Sequence, residues 1–211
     1  MHFFDDETID WVVPNYERLH AAYSGKINYK SWGDATPICT FWPPCLRRIH
    51  DYNPDIRLIV SLRDPVERAF SHWRMEMARA QESLSFSEAI RAGRRRLAGL
   101  SHLHPDFRVF SYVERGNYVE QLDRLFALFP TKNVLLLRQC DLLIDQKATL
   151  DRICAFLNVA PFASYPENSV FFSHDQEGSY QLPEADLEFL MHTYQKEYHI
   201  LKIKYNIDFF N

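Results

Sequence analysis

Residues 58–73 read LIVSLRDPVERAFSHW, and this stretch decides the fold. The apolar, β-branched run 55–62 is typical of a short buried strand with a charged entry. Pro65 follows the strand closely and suits the first turn of a helix, which we expect to run to about residue 80. A strand that turns directly into a helix is the basic unit of a layered α/β domain.

The pattern on either side of this unit supports the same fold class. A second apolar run at 133–137 predicts another buried strand. Residues 25–32 show a weak alternation of apolar and polar side chains, which suggests a third strand. Ser85 and Glu88 have the spacing of a capping box for a helix that ends near Arg96. Further helices are predicted at 43–52, 116–129, 149–157 and 183–198. We therefore predict one α/β domain over residues 1–211, with a mainly parallel sheet flanked by helices.

Composition excludes several function classes. The chain has 211 residues, 46% of them hydrophobic, and a net charge of −4, which gives no general reason to bind nucleic acid. A basic run on one predicted helix is typical of a solvated face. No apolar run reaches the ~20 residues that a membrane span needs. The four cysteines form no CxxC pair and the histidines lack ligand spacing, so we predict no metal site, and free thiols rather than disulfides.

Arg63 and Ser71 are the first candidates for a binding site. Ligands of open α/β sheets bind beyond the carboxyl ends of the strands, where Arg63 lies. Ser71 follows about two helical turns later, so a guanidinium and a hydroxyl are placed to hold a phosphate monoester. The alternative is structural: Arg63 pairs with Asp64 or another carboxylate, and Ser71 bonds back to its own helix.

Residues 58–73 closely resemble the nucleotide 3′-phosphate motif of PAPS-dependent sulfotransferases, in particular heparan sulfate sulfotransferases and their bacterial counterparts. The resemblance covers nearly the whole chain, although it is patchy after residue 80. It implies a P-loop-like sulfotransferase fold, PAPS as donor, a carbohydrate or other hydroxyl or amine acceptor, and Arg63 and Ser71 as ligands of the 3′-phosphate. The other similar segments are His2–Asp5, Gly33–Pro37, Gly116–Tyr118 and Ala155–Val159.

The same resemblance implies further site residues. Asp34, Thr36 and Pro37 would lie beside the acceptor, although Ala35 replaces a lysine that many relatives carry. His2 would orient the acceptor or share its proton; otherwise it is a solvated residue near a terminus. The segment 171–180 resembles a loop that closes over the nucleotide, or else is an ordinary polar loop with aromatics docked in the core. Glu177 stands in place of that loop's usual lysine. The nucleotide ligands implied there are Phe172, Gly178, Ser179 and Tyr180.

Two expected features of the family are absent from the 211 residues. No Lys-x-Gly-Thr-Thr loop for the 5′-phosphosulfate occurs, and the usual glutamate base would fall immediately before Met1. We therefore expect an N-terminally truncated domain that is nearly inactive. The alternative function is an inactive nucleotide-binding or scaffold domain. A P-loop kinase is disfavoured because no GxxxxGK[ST] occurs. Without an anchor segment we expect a bacterial cytoplasmic enzyme; a Golgi lumen enzyme is the alternative if truncation removed an anchor.

Overall fold

The computed structural model describes residues 2–24, 31–167 and 182–210. Within these ranges helices predominate, and two short strands pair with each other. Two 3₁₀ turns, at 114–116 and 131–133, precede a helix and a strand respectively. In chain order the elements are α1 (Glu17–Ala21), α2 (Pro43–Tyr52), β1 (Leu58–Leu62), α3 (Pro65–Ala78), α4 (Phe86–Leu97), α5 (Asp106–Phe110), α6 (Tyr118–Leu128), β2 (Val134–Arg138), α7 (Asp141–Ile144), α8 (Gln146–Leu157) and α9 (Glu184–Tyr205).

The two described strands form a parallel sheet. Leu58 lies opposite Val134 and the register continues to Leu62 opposite Arg138, so both carboxyl ends lie at one edge. The backbone N–H of Gln139 donates to the Leu62 carbonyl at 2.7 Å and extends this edge. The connection between the strands contains helices α3 to α6, as a parallel crossover requires. The predicted α/β class with a parallel sheet flanked by helices is therefore confirmed.

Local sequence signals set several helix boundaries. Helix α2 has the predicted bounds, with Pro43 in its first turn. The Ser85 side chain accepts from Glu88 N while the Glu88 carboxylate accepts from Ser85 N, so the predicted capping box of α4 is confirmed. Helix α3 begins at Pro65 as predicted and ends at Ala78, two residues early.

Other boundaries differ from the predictions for identifiable reasons. Strand β1 begins at Leu58 rather than Asp55, because the Asp55 amide bonds to the Asn53 side chain at 3.0 Å and closes a turn after α2. Helix α8 begins at Gln146, since the Asp145 carboxylate caps it by accepting from Ala148 N at 2.9 Å. Helix α9 continues to residue 205, beyond the predicted 198.

The weak strand predicted at 25–32 is not supported where it can be checked. Residues 25–30 lie outside the described residues, and Ser31 and Trp32 are not in a strand. The short helices α1, α5 and α7, of four or five residues each, were not predicted. Among the described helices, none has both the length and the apolar character that crossing a membrane requires.

Among the described residues the core has two clusters, the first including Leu62 of β1 and the second including Val66 and Ala69 of α3. The first contains Phe3, Trp42 and Leu125, and joins the N-terminal segment, α2, α6 and the sheet. The second packs α3, α4 and α9 together around Tyr112 and Tyr194. Its packing is close enough that a Cβ at position 116 would come within 2.4 Å of the Tyr194 hydroxyl oxygen, which explains the glycine there.

Candidate functional site

Arg63 leaves β1 at the carboxyl edge of the sheet and reaches toward α3. Its Nε lies 3.2 Å from Oε2 of Glu67, and both side chains are partly exposed. The carboxylate pairing considered as an alternative is therefore present, with Glu67 as partner. Such an exposed pair contributes about 0–1 kcal/mol and is easily exchanged for another anion.

Ser71 lies one helical turn beyond Glu67 on α3. Residues four apart share a helix face, so the Arg63 guanidinium, held by Glu67, lies on the face that carries Ser71. The Ser71 hydroxyl is half-buried and has no hydrogen-bond partner among the described residues, so the back-bond to its own helix that was considered as an alternative is not observed. The structure thus places a guanidinium fork and an available hydroxyl on one helix face.

Asp64 occupies the amino end of α3. Its Oδ1 accepts hydrogen bonds from the backbone N–H groups of Val66 at 2.9 Å and Glu67 at 3.1 Å. Its Oδ2 accepts from the Tyr198 hydroxyl at 2.7 Å. Since these amides are already satisfied, an anion at this edge must be held mainly by side chains rather than by the helix terminus.

Two tyrosines fix the strand-to-helix turn from outside the motif. The Tyr118 hydroxyl donates to the Arg63 carbonyl at 2.9 Å, and burial raises the pKa of Tyr118 to about 12. Tyr198 on α9 holds Asp64, and burial raises its pKa as well. The motif itself gives no signal for either contact. The apolar stripe of 116–129 predicted Tyr118 as a core residue, and the resemblance of Gly116–Tyr118 to the family gave it no role at the turn. Nothing in the sequence singled out Tyr198.

His2 belongs to a second group of polar side chains at the N-terminal segment. Its Nδ1 lies 2.9 Å from Oδ2 of Asp5, and its side chain is 69% exposed. Asp5 is buried, and the same Oδ2 accepts from Nη1 of Arg108 at 2.6 Å. Burial alone would raise the Asp5 pKa, but the hydrogen bonds from Arg108 and His2 hold it below its usual range. When the Asp5 carboxylate accepts a hydrogen bond from Nδ1–H, His2 Nε2 carries the free lone pair and can act as a base.

The N-terminal segment is held on the domain by further charged contacts. Arg48 donates to both carboxylate oxygens of Glu7, at 2.9 and 2.7 Å, and to the Phe4 carbonyl at 2.9 Å. The indole N–H of Trp42 donates to Glu7 at 2.6 Å. The hydrogen bonds from Arg48 lower the Glu7 pKa although burial opposes them. His2 therefore belongs to a segment that hydrogen bonds attach to the rest of the domain.

The predicted acceptor residues lie in an exposed strip before α2. The Thr36 hydroxyl donates to Oδ2 of Asp34 at 2.7 Å, and Pro37 is exposed. The Tyr23 hydroxyl donates to the Gly33 carbonyl at 3.1 Å and ties the strip to the segment after α1. These hydrogen bonds hold the strip in place and keep the side chains of Asp34 and Thr36 near the surface.

The remaining predicted nucleotide ligands cannot be placed. Phe172, Gly178, Ser179 and Tyr180 lie outside the described residues, in the gap between 167 and 182. Within the described parts of the chain, no group of three or more histidine, cysteine, aspartate or glutamate side chains is arranged to hold a metal ion.

Comparison with known proteins identifies relatives of the chain. A sequence model of the sulfotransferase family matches residues 16–163. The mouse heparan sulfate glucosamine 3-O-sulfotransferase 6 is 32% identical over 75% of this chain and 43% of its own length. The human bifunctional heparan sulfate N-deacetylase/N-sulfotransferase 3 is also 32% identical, over 57% of this chain and 14% of its own. The chain thus spans less than half the length of these curated relatives.

A solved structure agrees with these matches at the level of the fold. The crystal structure of a sulfotransferase from Alicyclobacillus acidocaldarius superimposes with a TM-score of 0.76. The match covers 98% of this chain and 83% of the other. Because the two sequences are only 22% identical, this likeness shows a shared fold and nothing more. Because the family's sequence model covers well over half of the 211 residues, the chain belongs to the sulfotransferase family.

Proposed function

We propose that this chain binds PAPS and transfers its sulfuryl group to a hydroxyl or amine of a carbohydrate. The observation that carries the proposal is the position of Arg63 at the carboxyl edge of β1, on the helix face that bears Ser71. Membership of the family supports sulfuryl transfer as the reaction. The carbohydrate acceptor is proposed from the printed names of the heparan sulfate relatives.

The proposed 3′-phosphate site is selective by charge and geometry. A phosphate monoester presents several oxygens to the Arg63 fork and to the Ser71 hydroxyl together. Binding would replace the 3.2 Å contact between Arg63 and Glu67 with a charge-assisted contact to a more highly charged anion. The α3 amides stay with Asp64, so recognition depends on Arg63 and Ser71.

His2 is the proposed proton acceptor within this chain. During transfer the acceptor oxygen or nitrogen forms a bond to sulfur, the bond from sulfur to the nucleotide phosphate oxygen breaks, and the acceptor loses a proton. His2 Nε2 would take that proton, and Asp5, held by Arg108, would stabilise the resulting imidazolium. Asp34, Thr36 and Pro37 are proposed to contact the acceptor.

The test of the nucleotide site is calorimetric titration with adenosine 3′,5′-bisphosphate, the product nucleotide. Arg63→Ala should weaken binding by roughly 1.5–3 kcal/mol, as loss of a charge-assisted hydrogen bond does. Arg57→Ala is the matched control, because Arg57 is exposed and lies just before β1, at the opposite end of the strand. Equal affinities for wild type and Arg63→Ala would refute the site.

A second candidate function is nucleotide binding without transfer. The observation that favours it is that Arg63 and Ser71 would supply contacts to the nucleotide phosphate, which binding without transfer uses equally. A transfer assay with radiolabelled PAPS and a mixed set of glycans separates the two functions. Turnover that is lost in His2→Ala, while nucleotide affinity persists, supports the enzyme. Tight nucleotide binding with no turnover in the wild-type chain supports the binding domain.

A further inference from the structure

Phe210 is an exposed aromatic residue on a turn whose backbone is anchored by hydrogen bonds. Its side chain is 63% exposed, while the neighbouring Phe209 packs against the core. The Phe210 backbone N–H donates to Oδ1 of Asp208 at 3.0 Å, and Lys202 pairs with Oδ2 of the same carboxylate at 2.7 Å. The turn that carries the ring is therefore anchored although the ring itself faces water.

This turn lies at the carboxyl edge of the sheet. Arg138, the last residue of β2, donates through Nη1 to the Asp208 carbonyl, and Arg138 is opposite Leu62 in the strand register. Asp141 holds the same guanidinium with its carboxylate at 2.8 Å. The segment after α9 thus runs beside the edge at which Arg63 leaves β1.

One side chain connects Phe210 to the proposed nucleotide site. The ring centroids of Phe210 and Tyr198 are 4.8 Å apart, with an interplanar angle of 56°. The Tyr198 hydroxyl donates to Asp64, the residue next to Arg63. Tyr198 therefore contacts both the exposed Phe210 ring and the turn from which Arg63 would reach the phosphate.

We propose that Phe210 stacks on the purine base of the bound nucleotide. This inference rests on the proposed function and assigns to the base a contact that Arg63 and Ser71 cannot supply. Scattered apolar side chains on a protein surface are ordinary and carry no meaning alone. Phe210 differs because it is anchored by Asp208 and lies at the edge where ligands of open α/β sheets bind. An exposed ring on an anchored turn offers stacking area while the backbone loses little entropy on binding.

The test compares two ligands that differ in the base. Adenosine 3′,5′-bisphosphate carries both phosphates and the purine, whereas ribose 3,5-bisphosphate carries no base. Loss of a base–aromatic stack should raise the Kd of Phe210→Ala for the adenosine ligand roughly 5- to 100-fold. Its Kd for the ribose ligand should change less than about twofold, since the phosphate contacts remain. Phe162→Ala is the matched control, as Phe162 is also an exposed phenylalanine, 48% accessible, and packs with Tyr165.

A second variant provides a readout that does not depend on affinity. Phe210→Trp should retain adenosine affinity and show indole quenching with the adenosine ligand but not with the ribose ligand, relative to wild type. Equal weakening of both ligands in Phe210→Ala, or no weakening of either, would overturn the stacking proposal and leave the proposed function standing. Wild-type protein that binds neither ligand would remove the proposed function and the stacking proposal with it.

Discussion

The Tyr198 hydroxyl donates a 2.7 Å hydrogen bond to Oδ2 of Asp64, across 134 positions of sequence. Tyr198→Phe removes this donor and leaves a partly buried carboxylate oxygen unpaired. We expect the free energy of unfolding to fall by about 1–2 kcal/mol in urea titrations. Tyr52→Phe is the control, since its hydroxyl bond to His20 is exposed, and it should change stability by less than about 0.5 kcal/mol. Equal effects of the two variants would contradict the importance of the Asp64 contact.

Glu67 competes with the proposed phosphate for Arg63. Glu67→Gln removes a negative charge beside the site and releases the guanidinium from its 3.2 Å contact. We expect adenosine 3′,5′-bisphosphate to bind about two- to fivefold more tightly, with a gain that shrinks at high salt because the pair is exposed. Glu120→Gln on α6 removes a comparable exposed carboxylate, paired with Arg124, and should leave affinity unchanged. Weaker nucleotide binding by Glu67→Gln would show that Glu67 positions Arg63 for the ligand.

His72 makes the domain sensitive to acid. Burial lowers the pKa of His72 to about 4, below its ordinary value of about 6.5, although Glu76 lies 3.6 Å away. The unfolded chain therefore binds a proton that the folded chain resists, so stability falls as pH drops from 6.5 toward 4. Protonation linked to this histidine should lower the free energy of unfolding by about 2 kcal/mol between pH 7 and pH 5.

The measurement for His72 is the free energy of unfolding at pH 7 and at pH 5, for wild type and His72→Gln. The glutamine cannot titrate, so the difference between the two pH values should shrink by about 2 kcal/mol. It retains a donor for the Arg108 carbonyl, which lies 3.2 Å from His72 Nε2. An unchanged pH difference in the variant would place the acid sensitivity elsewhere.

Ala80 lies two residues beyond the end of α3 and has a left-handed conformation, with φ of 53°. Its amide donates to the Met77 carbonyl at 3.0 Å, so the conformation is part of the helix end. Glycine adopts this conformation without the steric cost that a Cβ brings, and we expect Ala80→Gly to raise stability by about 0.5–1 kcal/mol. Ala155→Gly, at an exposed position within α8, should instead lower it by about 1 kcal/mol. Thermal melts of both variants test the opposite signs.

Signals confined to a few neighbouring residues predicted structure well. Pro43, Pro65 and the Ser85–Glu88 pair fixed the starts of three helices, because a proline or a capping box acts within one turn. Continuous apolar runs predicted both described strands. The helices α1, α5 and α7 escaped prediction because four or five residues are too few to show a period.

The site was predicted only as far as its motif extends. Arg63 and Ser71 could be named because they lie within one strand–turn–helix unit. The partners of that unit, Tyr118 and Tyr198, come from α6 and α9, and only the tertiary fold brings them there. The partly buried Asp5–Arg108 pair, which supports His2, joins residues 103 positions apart and carries no local signal.

The turn between β1 and α3 is held by the protein's own hydrogen bonds, since Asp64 is satisfied at both carboxylate oxygens. A receptor that is already ordered loses little backbone entropy on association and moves little. Binding of the proposed nucleotide at Arg63 should therefore be a single bimolecular step. Stopped-flow traces should give an observed rate that rises linearly with nucleotide concentration, without the plateau that a slow isomerisation produces.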